Sequence, residues 1–271
     1  MIRRDFIKTN GLVCLSAILG VFPGCSLPYE YSPYDNKVES KFRDLTSKNL
    51  DKIKITDTDN NETFKFAFIT DTHTFYDEFE DAVAALNARD DIDFVIHGGD
   101  LTLSALHKEF TWFNEIISRL NVPFFTVIGN HDYLSNGERL YHTSFGENNY
   151  TFTYKGCKFV MFDNIVWERK NTNPDFDWFN ENLKNDGSAN LVIPVSHIPP
   201  YADQYDGEDS MLNQILENNN IKLSIHGHTH SFYHGKKYGK TDFLVGGDIA
   251  DNHYQVITID NGNYSIENIA F

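Results

Sequence analysis

The sequence predicts an α/β fold: a four-layer αββα sandwich, two mixed central sheets flanked by helices. Three observations carry that expectation. Compact apolar runs alternate with segments whose apolar residues recur at helical spacing, from about Phe64 to Ile128. A hairpin signal, Lys155-Gly156 between two strand-like runs, then breaks the alternation. Short strands punctuated by Gly and Asn turns, such as Asn261-Gly262, close the chain.

In chain order, Phe64–Thr70 (FKFAFIT) reads as a buried strand. Glu78–Arg89 reads as a helix with Phe79, Ala82, Val83 and Leu86 on one face. Ile92–His97 is a second strand, Leu103–Leu120 a second helix and Val122–Ile128 a third strand. Strand–helix–strand alternation of this kind favours parallel pairing. Tyr150–Tyr154 and Cys157–Phe162 form the hairpin. Asp175–Leu183 and Met211–Glu217 return to helical spacing, with strands at Asn190–Val195 and Ile221–Ile225. Phe110, Trp112, Phe113 and Trp178 fall on helical patterns and are expected in the core. Cys157, within an apolar strand, reads as a small buried hydrophobe.

The amino terminus has a different composition. Arg3 and Arg4 precede an uncharged run from Gly11 to Phe22, which is too short for the roughly 20 residues of a bilayer-spanning helix. Residues 1–25 therefore read as an export signal. Arg-Arg-Asp-Phe-Ile-Lys resembles a twin-arginine export motif, and Phe22-Pro23-Gly24-Cys25 resembles a bacterial lipoprotein cleavage box. That resemblance implies lipidation at Cys25 and anchoring on the periplasmic or surface side of a bacterial membrane. Residues 26–62 are expected to be a linker with one short helix near Lys37–Leu50, and residues 63–271 the folded domain. With one cysteine in that domain, no internal disulfide is expected there.

The formal net charge is −16. This argues against a nucleic-acid partner, which requires a basic footprint. It does not exclude a small phosphorylated substrate, since bound divalent cations would reverse the local field.

The chemistry lies at the strand ends. Asp71 and His73 follow the first strand, Gly98-Gly99-Asp100 the second, and Gly129-Asn130-His131-Asp132 the third. His197 follows the strand at 190–195, and His226-Gly227-His228-Thr229-His230 the strand at 221–225. Open α/β sheets gather ligands at the carboxyl ends of their strands, so five loops are expected to converge. Singly, each residue has an ordinary reading: Asp71 as a turn former, His197 as a core histidine, Gly129-Asn130 as a turn. Jointly they supply the nitrogen and oxygen donors of a two-metal site, in which a shared carboxylate separates two cations and a bridging water loses its proton to attack phosphorus.

These blocks resemble the calcineurin-like metallophosphoesterase family, whose motif runs D-x-H, G-D, G-N-H-D/E, H, G-H-x-H. The resemblance implies one metal held by Asp71, His73 and His230, and a second held by Asn130, His197 and His228, with Asp100 shared. It implies that His131 acts on the substrate phosphate and that Asp132 fixes the loop. It also implies two divalent ions (Mn, Fe or Zn) and hydrolysis of phosphate mono- or diesters. His73, and Leu103 in place of a tyrosine iron ligand, depart from purple acid phosphatases. Leu103 also stands where protein phosphatases carry the carboxylate that orients the histidine equivalent to His131. Tyr133–Tyr150 and Tyr201–Asp209 are candidate substrate loops. The competing expectation is a surface-anchored binding protein that keeps the fold without turnover.

Overall fold

A computed structural model of the chain describes residue 35, residues 37–56 and residues 63–271. The expected export signal, the expected lipidation at Cys25 and the start of the expected linker lie outside the described residues. Among the described residues, no helix is long and apolar enough to cross a membrane.

The first sheet contains β1 (Phe64–Ile69), β2 (Phe94–His97), β3 (Phe124–Thr126), β10 (His253–Asp260) and β11 (Asn263–Ala270), in the order β11-β10-β1-β2-β3. Its β1, β2 and β3 are parallel, while β10 and β11 run antiparallel. The second sheet contains β4 (Tyr150–Tyr154), β5 (Cys157–Phe162), β6 (Leu191–Ser196), β7 (Leu223–His226), β8 (Tyr233–Lys236) and β9 (Asp242–Val245), in the order β4-β5-β6-β7-β9-β8. Here β5, β6, β7 and β9 are parallel, and the edge strands β4 and β8 are antiparallel. The helices are α1 (Leu45–Thr56), α2 (Tyr76–Asn87), α3 (His107–Ile117), α4 (Gly137–Phe145), α5 (Phe176–Leu183) and α6 (Met211–Asn218).

Alternation along β1 produces the layering. Phe64, Phe66 and Phe68 point inward to the core between the sheets, where they join Phe94, Phe125, Phe152, Phe159 and Ile225. Ala67 and Ile69 point outward and pack with Phe79, Phe113 and Tyr141 of α2, α3 and α4. On the other side, Val160 and Phe162 of β5 pack with Phe179 of α5 and Leu216 of α6. The inner layer is largely aromatic: Phe66 stacks on Phe94 with centroids 5.3 Å apart and meets Phe159 edge-on at 5.3 Å. Full burial of each such ring contributes roughly 1.5–3 kcal/mol. The predicted four-layer sandwich is therefore observed.

Both predicted hairpin turns form. Lys155 and Gly156 have φ of 44° and 76°, and Asn261 and Gly262 have 48° and 75°. Two successive left-handed residues match the twist of the flanking strands, which selects Gly second.

Some elements differ from expectation. The helix expected near 37–50 is a single 3-10 turn at Ser40–Phe42 followed by α1, because Asp44 (φ 53°) breaks the run. Val38, Phe42, Leu45 and Ile53 are buried in the cores, so this part of the expected linker belongs to the same compact unit as the sheets. Tyr133–Tyr150, expected as a loop, contains α4, which buries Leu140, Tyr141, Ser144 and Phe145. Phe110 and Phe113 are core residues, but Trp112 is 40% exposed and lies against Tyr76 and Lys108. Trp178 is half-buried. Cys157 is buried as expected, and burial pushes its thiol well above the ordinary value, so it carries no reactive thiolate.

Candidate metal centre

The five loops meet at the carboxyl ends of β1, β2, β3, β6 and β7. Asp71 and Asp100 are fully buried. Asp71 Oδ1 faces His230 Nε2 at 3.4 Å, His73 Nε2 at 3.9 Å and His197 Nε2 at 4.0 Å, and it accepts no hydrogen bond. Its other oxygen is engaged by Thr70 Oγ1 at 2.6 Å and the His228 backbone N–H at 2.9 Å. Asp100 Oδ1 accepts from the His131 backbone N–H at 2.9 Å, while Oδ2 faces His197 Nε2 at 3.2 Å and His73 Nε2 at 3.8 Å.

The donor atoms fall into two groups with one common member. Asp71, His73, Asp100 and His230 form one; Asp100, His197 and His228 form the other, with donor atoms in each within 4.8 Å of one another. Asn130 Oδ1 joins the second at 3.1 Å from His228 Nδ1. Donors at about 2.1 Å from a common cation sit about 3–4 Å apart, so the spacing fits metal ions. The unmet hydrogen-bonding capacity fits as well: Asp71 Oδ1 and His197 Nε2 are buried polar atoms without a hydrogen-bond partner. All seven sequence-predicted ligands are thus brought together.

The electrostatics point the same way. Burial alone would raise the Asp71 and Asp100 carboxyls, but His230 and His197 beside Asp71, and His197 beside Asp100, hold both below their ordinary value. Burial alone would lower His197, yet the charges of Asp100 and Asp71 raise it to about 10. Two buried carboxylates therefore demand positive charge between them, and they raise the proton affinity of the imidazole that faces both. His73 and His228 are lowered, chiefly by burial, and so favour the neutral form that can ligate.

The backbone is bent to make this arrangement. Asp71, His73, Asp100, His228 and His230 have φ of 53°, 42°, 53°, 73° and 55°. Non-glycine residues rarely occupy this region, and such strain collects at functional sites. A Cβ on Gly129 would lie 2.1 Å from Asp100 N and 2.2 Å from Asp100 Oδ1, so only glycine lets the third loop pass the shared carboxylate. Asp132 acts as the loop clamp expected for it. It is buried and accepts from the N–H groups of Leu101, Thr102 and Gly129 and from Thr102 Oγ1, at 2.9–3.1 Å. Burial first, then the charge of Asp100, pushes its carboxyl up to about 7.

Further contacts fix the imidazoles. His197 Nδ1–H donates to the Gly98 carbonyl at 2.8 Å, which turns Nε2 inward. His131 Nδ1–H donates to the Leu103 carbonyl at 2.7 Å, so a backbone oxygen orients this histidine where protein phosphatases use a side chain. His228 Nε2–H donates to Asp203 Oδ1 at 3.0 Å. Asp248 Oδ2 lies 3.6 Å from His230 Nδ1. Asn130 Nδ2 donates to Glu168 Oε1 at 3.3 Å, and Glu168 Oε2 accepts from Gln204 Nε2 at 2.9 Å. Sequence reasoning missed the roles of Asp203, Glu168 and Gln204. They sit in irregular polar loops, and the placement of Asp203 and Gln204 within the candidate substrate loop Tyr201–Asp209 hinted at two of them. His97 and His226 are buried and bonded to neighbours, Thr72 and Gly99 for the first, Ser196 and Ser224 for the second. They stay outside both donor groups.

The sequence model of the calcineurin-like phosphoesterase family matches residues 64–232. The chain belongs to this family. It is 38% identical over 60 residues to a probable glycerophosphodiester phosphodiesterase of Arcobacter nitrofigilis, a stretch that covers 21% of this chain and 22% of that protein. Its fold is similar to a purple acid phosphatase from yellow lupin (Lupinus luteus) seeds (TM-score 0.61, 16% identity, 78% of this chain and 52% of that chain). It is also similar to a dimetal phosphatase from Danio rerio (TM-score 0.55, 13% identity, 77% and 99%). At these identities the likeness is one of fold. Family membership and the two donor groups agree with a dinuclear metal centre in this calcineurin-like chain.

A carboxylate behind a ligating imidazole raises its basicity and fixes its orientation. Asp203→Asn is therefore expected to weaken the second of two bound Mn²⁺ ions by about 10–100-fold and leave the first unchanged. Calorimetric metal titration reads this directly; two unchanged affinities would contradict the role given to Asp203.

Proposed function

We propose that the chain is a metal-dependent phosphoesterase acting on phosphate mono- or diesters. The observation that carries this reading is the sharing of Asp100 Oδ2 between two donor groups, with His131 at their edge. Asp71, His73 and His230 would hold one metal, Asn130, His197 and His228 the other, and Asp100 both. Bound there, the ions would supply Lewis acidity toward the phosphate oxygens and ease deprotonation of a water. Metal identity is open between Mn, Fe and Zn, since a mixed nitrogen and oxygen donor set accepts each.

The chain's own residues account for the rest of the reaction. The His131 ring stands edge-on to His73 with centroids 4.8 Å apart, which places it beside the first donor group. Its Nδ1–H is committed to Leu103, so Nε2 is the nitrogen available to substrate. The attacking water oxygen bonds to phosphorus and gives up a proton, and the ester P–O bond breaks. The departing alcohol oxygen takes a proton from Nε2 of His131 in its doubly protonated form; the proton released by the water restores that form over the cycle. The binding-only alternative is not favoured, because every motif position is filled and the donor atoms converge.

Export and anchoring are part of the proposal. The charged start, the short apolar run and Cys25 support a lipoprotein held at a bacterial membrane, with a small phosphorylated substrate as its partner. Cys25→Ser is expected to move the protein from the membrane to the soluble fraction; retention at the membrane would rule out this anchor.

Hydrolysis of an aryl phosphate or an aryl phosphodiester is expected with added Mn²⁺ and is expected to stop with EDTA. His131→Ala should lower turnover by about 10²–10⁴-fold while both metals remain bound. Turnover that survives chelation, or full activity in His131→Ala, would overturn the assignment.

A further inference from the structure

Beside the metal centre lies a cavity of ≈ 440 Å³ whose walls include Tyr133, Glu138, Arg139, Glu168, Arg169 and Lys170. A volume of this order suits a small-molecule group. Two contacts join it to the site. Glu168 lines the cavity and accepts the hydrogen bond from Asn130 Nδ2. Tyr133 ends the 3-10 turn that begins at His131. The cavity and the second donor group are therefore neighbours across the Asn130–Glu168 contact.

The charges of the walls are not equally free. Glu168 is committed through both oxygens, to Asn130 and to Gln204. Arg169 is committed as well: its Nη1 lies 3.5 Å from Asp163 Oδ2, and its guanidinium lies 5.7 Å from the Tyr133 ring centroid. Arg139 and Lys170 are exposed and make no ion pair among the described residues, whereas Glu138 is the one acidic wall residue without a hydrogen bond of its carboxylate. The uncommitted charge is thus two cations against one anion. In a chain of net charge −16, whose general field repels anions, this is a local exception next to the candidate site. The walls are mainly polar, and Tyr133 is the one aromatic residue among them.

We propose that this cavity binds an anionic substituent of the substrate, a carboxylate or a second phosphate carried on the alcohol part of the ester, through Arg139 and Lys170. The inference rests on the phosphoesterase reading above and adds a substrate class to it. Arg139 lies on α4 and Lys170 in the loop after β5, so the two cations reach the cavity from different elements. A group held between them would be gripped from two elements, with Ser135 and Thr172 beside it. The proposed substrates carry at least one negative charge besides that of the scissile phosphate.

Calorimetric binding of two matched probes to the Mn²⁺-loaded full chain tests this without relying on turnover. The probes are 3-phosphonopropionate and propylphosphonate, which share the phosphonate and differ in a terminal carboxylate. A charge-assisted contact predicts about tenfold tighter binding of the carboxylated probe. The preference should fall to about unity in Arg139→Ala/Lys170→Ala and persist in Arg139→Lys/Lys170→Arg. Equal affinities in the wild type would overturn the inference, as would a preference that survives the alanine pair. If the alanine pair does not fold, Lys170→Ala alone, in an exposed loop, should still reduce the ratio. Failure of both phosphonates to bind the metal-loaded protein would instead overturn the phosphoesterase reading itself.

Discussion

The site is built around two carboxylates, Asp71 and Asp100, buried within reach of the same imidazole nitrogens. Taking one ionised carboxylate out of water costs several kcal/mol even after relaxation, and two close together also repel. Such a pair persists only if positive charge lies between them. In the protein alone the His197 imidazole faces both carboxylates, and their charges raise its affinity for a proton. A pair of divalent cations meets the same demand more fully, and every other feature of the site is arranged around that demand.

The fold exists, in this view, to hold those carboxylates where a relaxed chain would not. Five of the seven candidate ligands occupy left-handed backbone conformations. The aromatic layer between the sheets anchors the strands that end in these residues, and Asp132 ties the second and third loops together from below. Asp203, Asp248 and Glu168 stand behind His228, His230 and Asn130 as a further acidic shell. A site surrounded by acids on this scale is poorly suited to anions until cations fill it, which makes the uncommitted Arg139 and Lys170 stand out.

Much of this was legible in the sequence. Parallel strands buried on both faces leave continuous apolar runs, so β1, β2, β5 and β6 appeared close to their observed limits. The turn at Lys155-Gly156 is a local device whose chemistry is written in two residues. The ligands were legible because each follows directly on a strand, where the fold's topology fixes their meeting. What was missed depends on contacts distant in sequence. α4 is nine residues long and half polar, too short a segment to be told from a loop by its pattern, and it packs through Tyr141 and Phe145 against the first sheet. Trp112 fits the helical pattern but faces solvent, since periodicity does not say how wide the buried stripe is. Asp203 meets His228 from 25 residues away, and the Leu103 carbonyl meets His131 through a backbone atom that no side-chain pattern records.

Anomalous diffraction from crystals of the Mn²⁺-loaded protein tests the central claim most directly. Two anomalous peaks are predicted about 3.5–4 Å apart, one beside Asp71 and His230, one beside His197 and Asn130, with an Asp100 oxygen between them. A single peak, or two peaks with no carboxylate between them, would contradict the account.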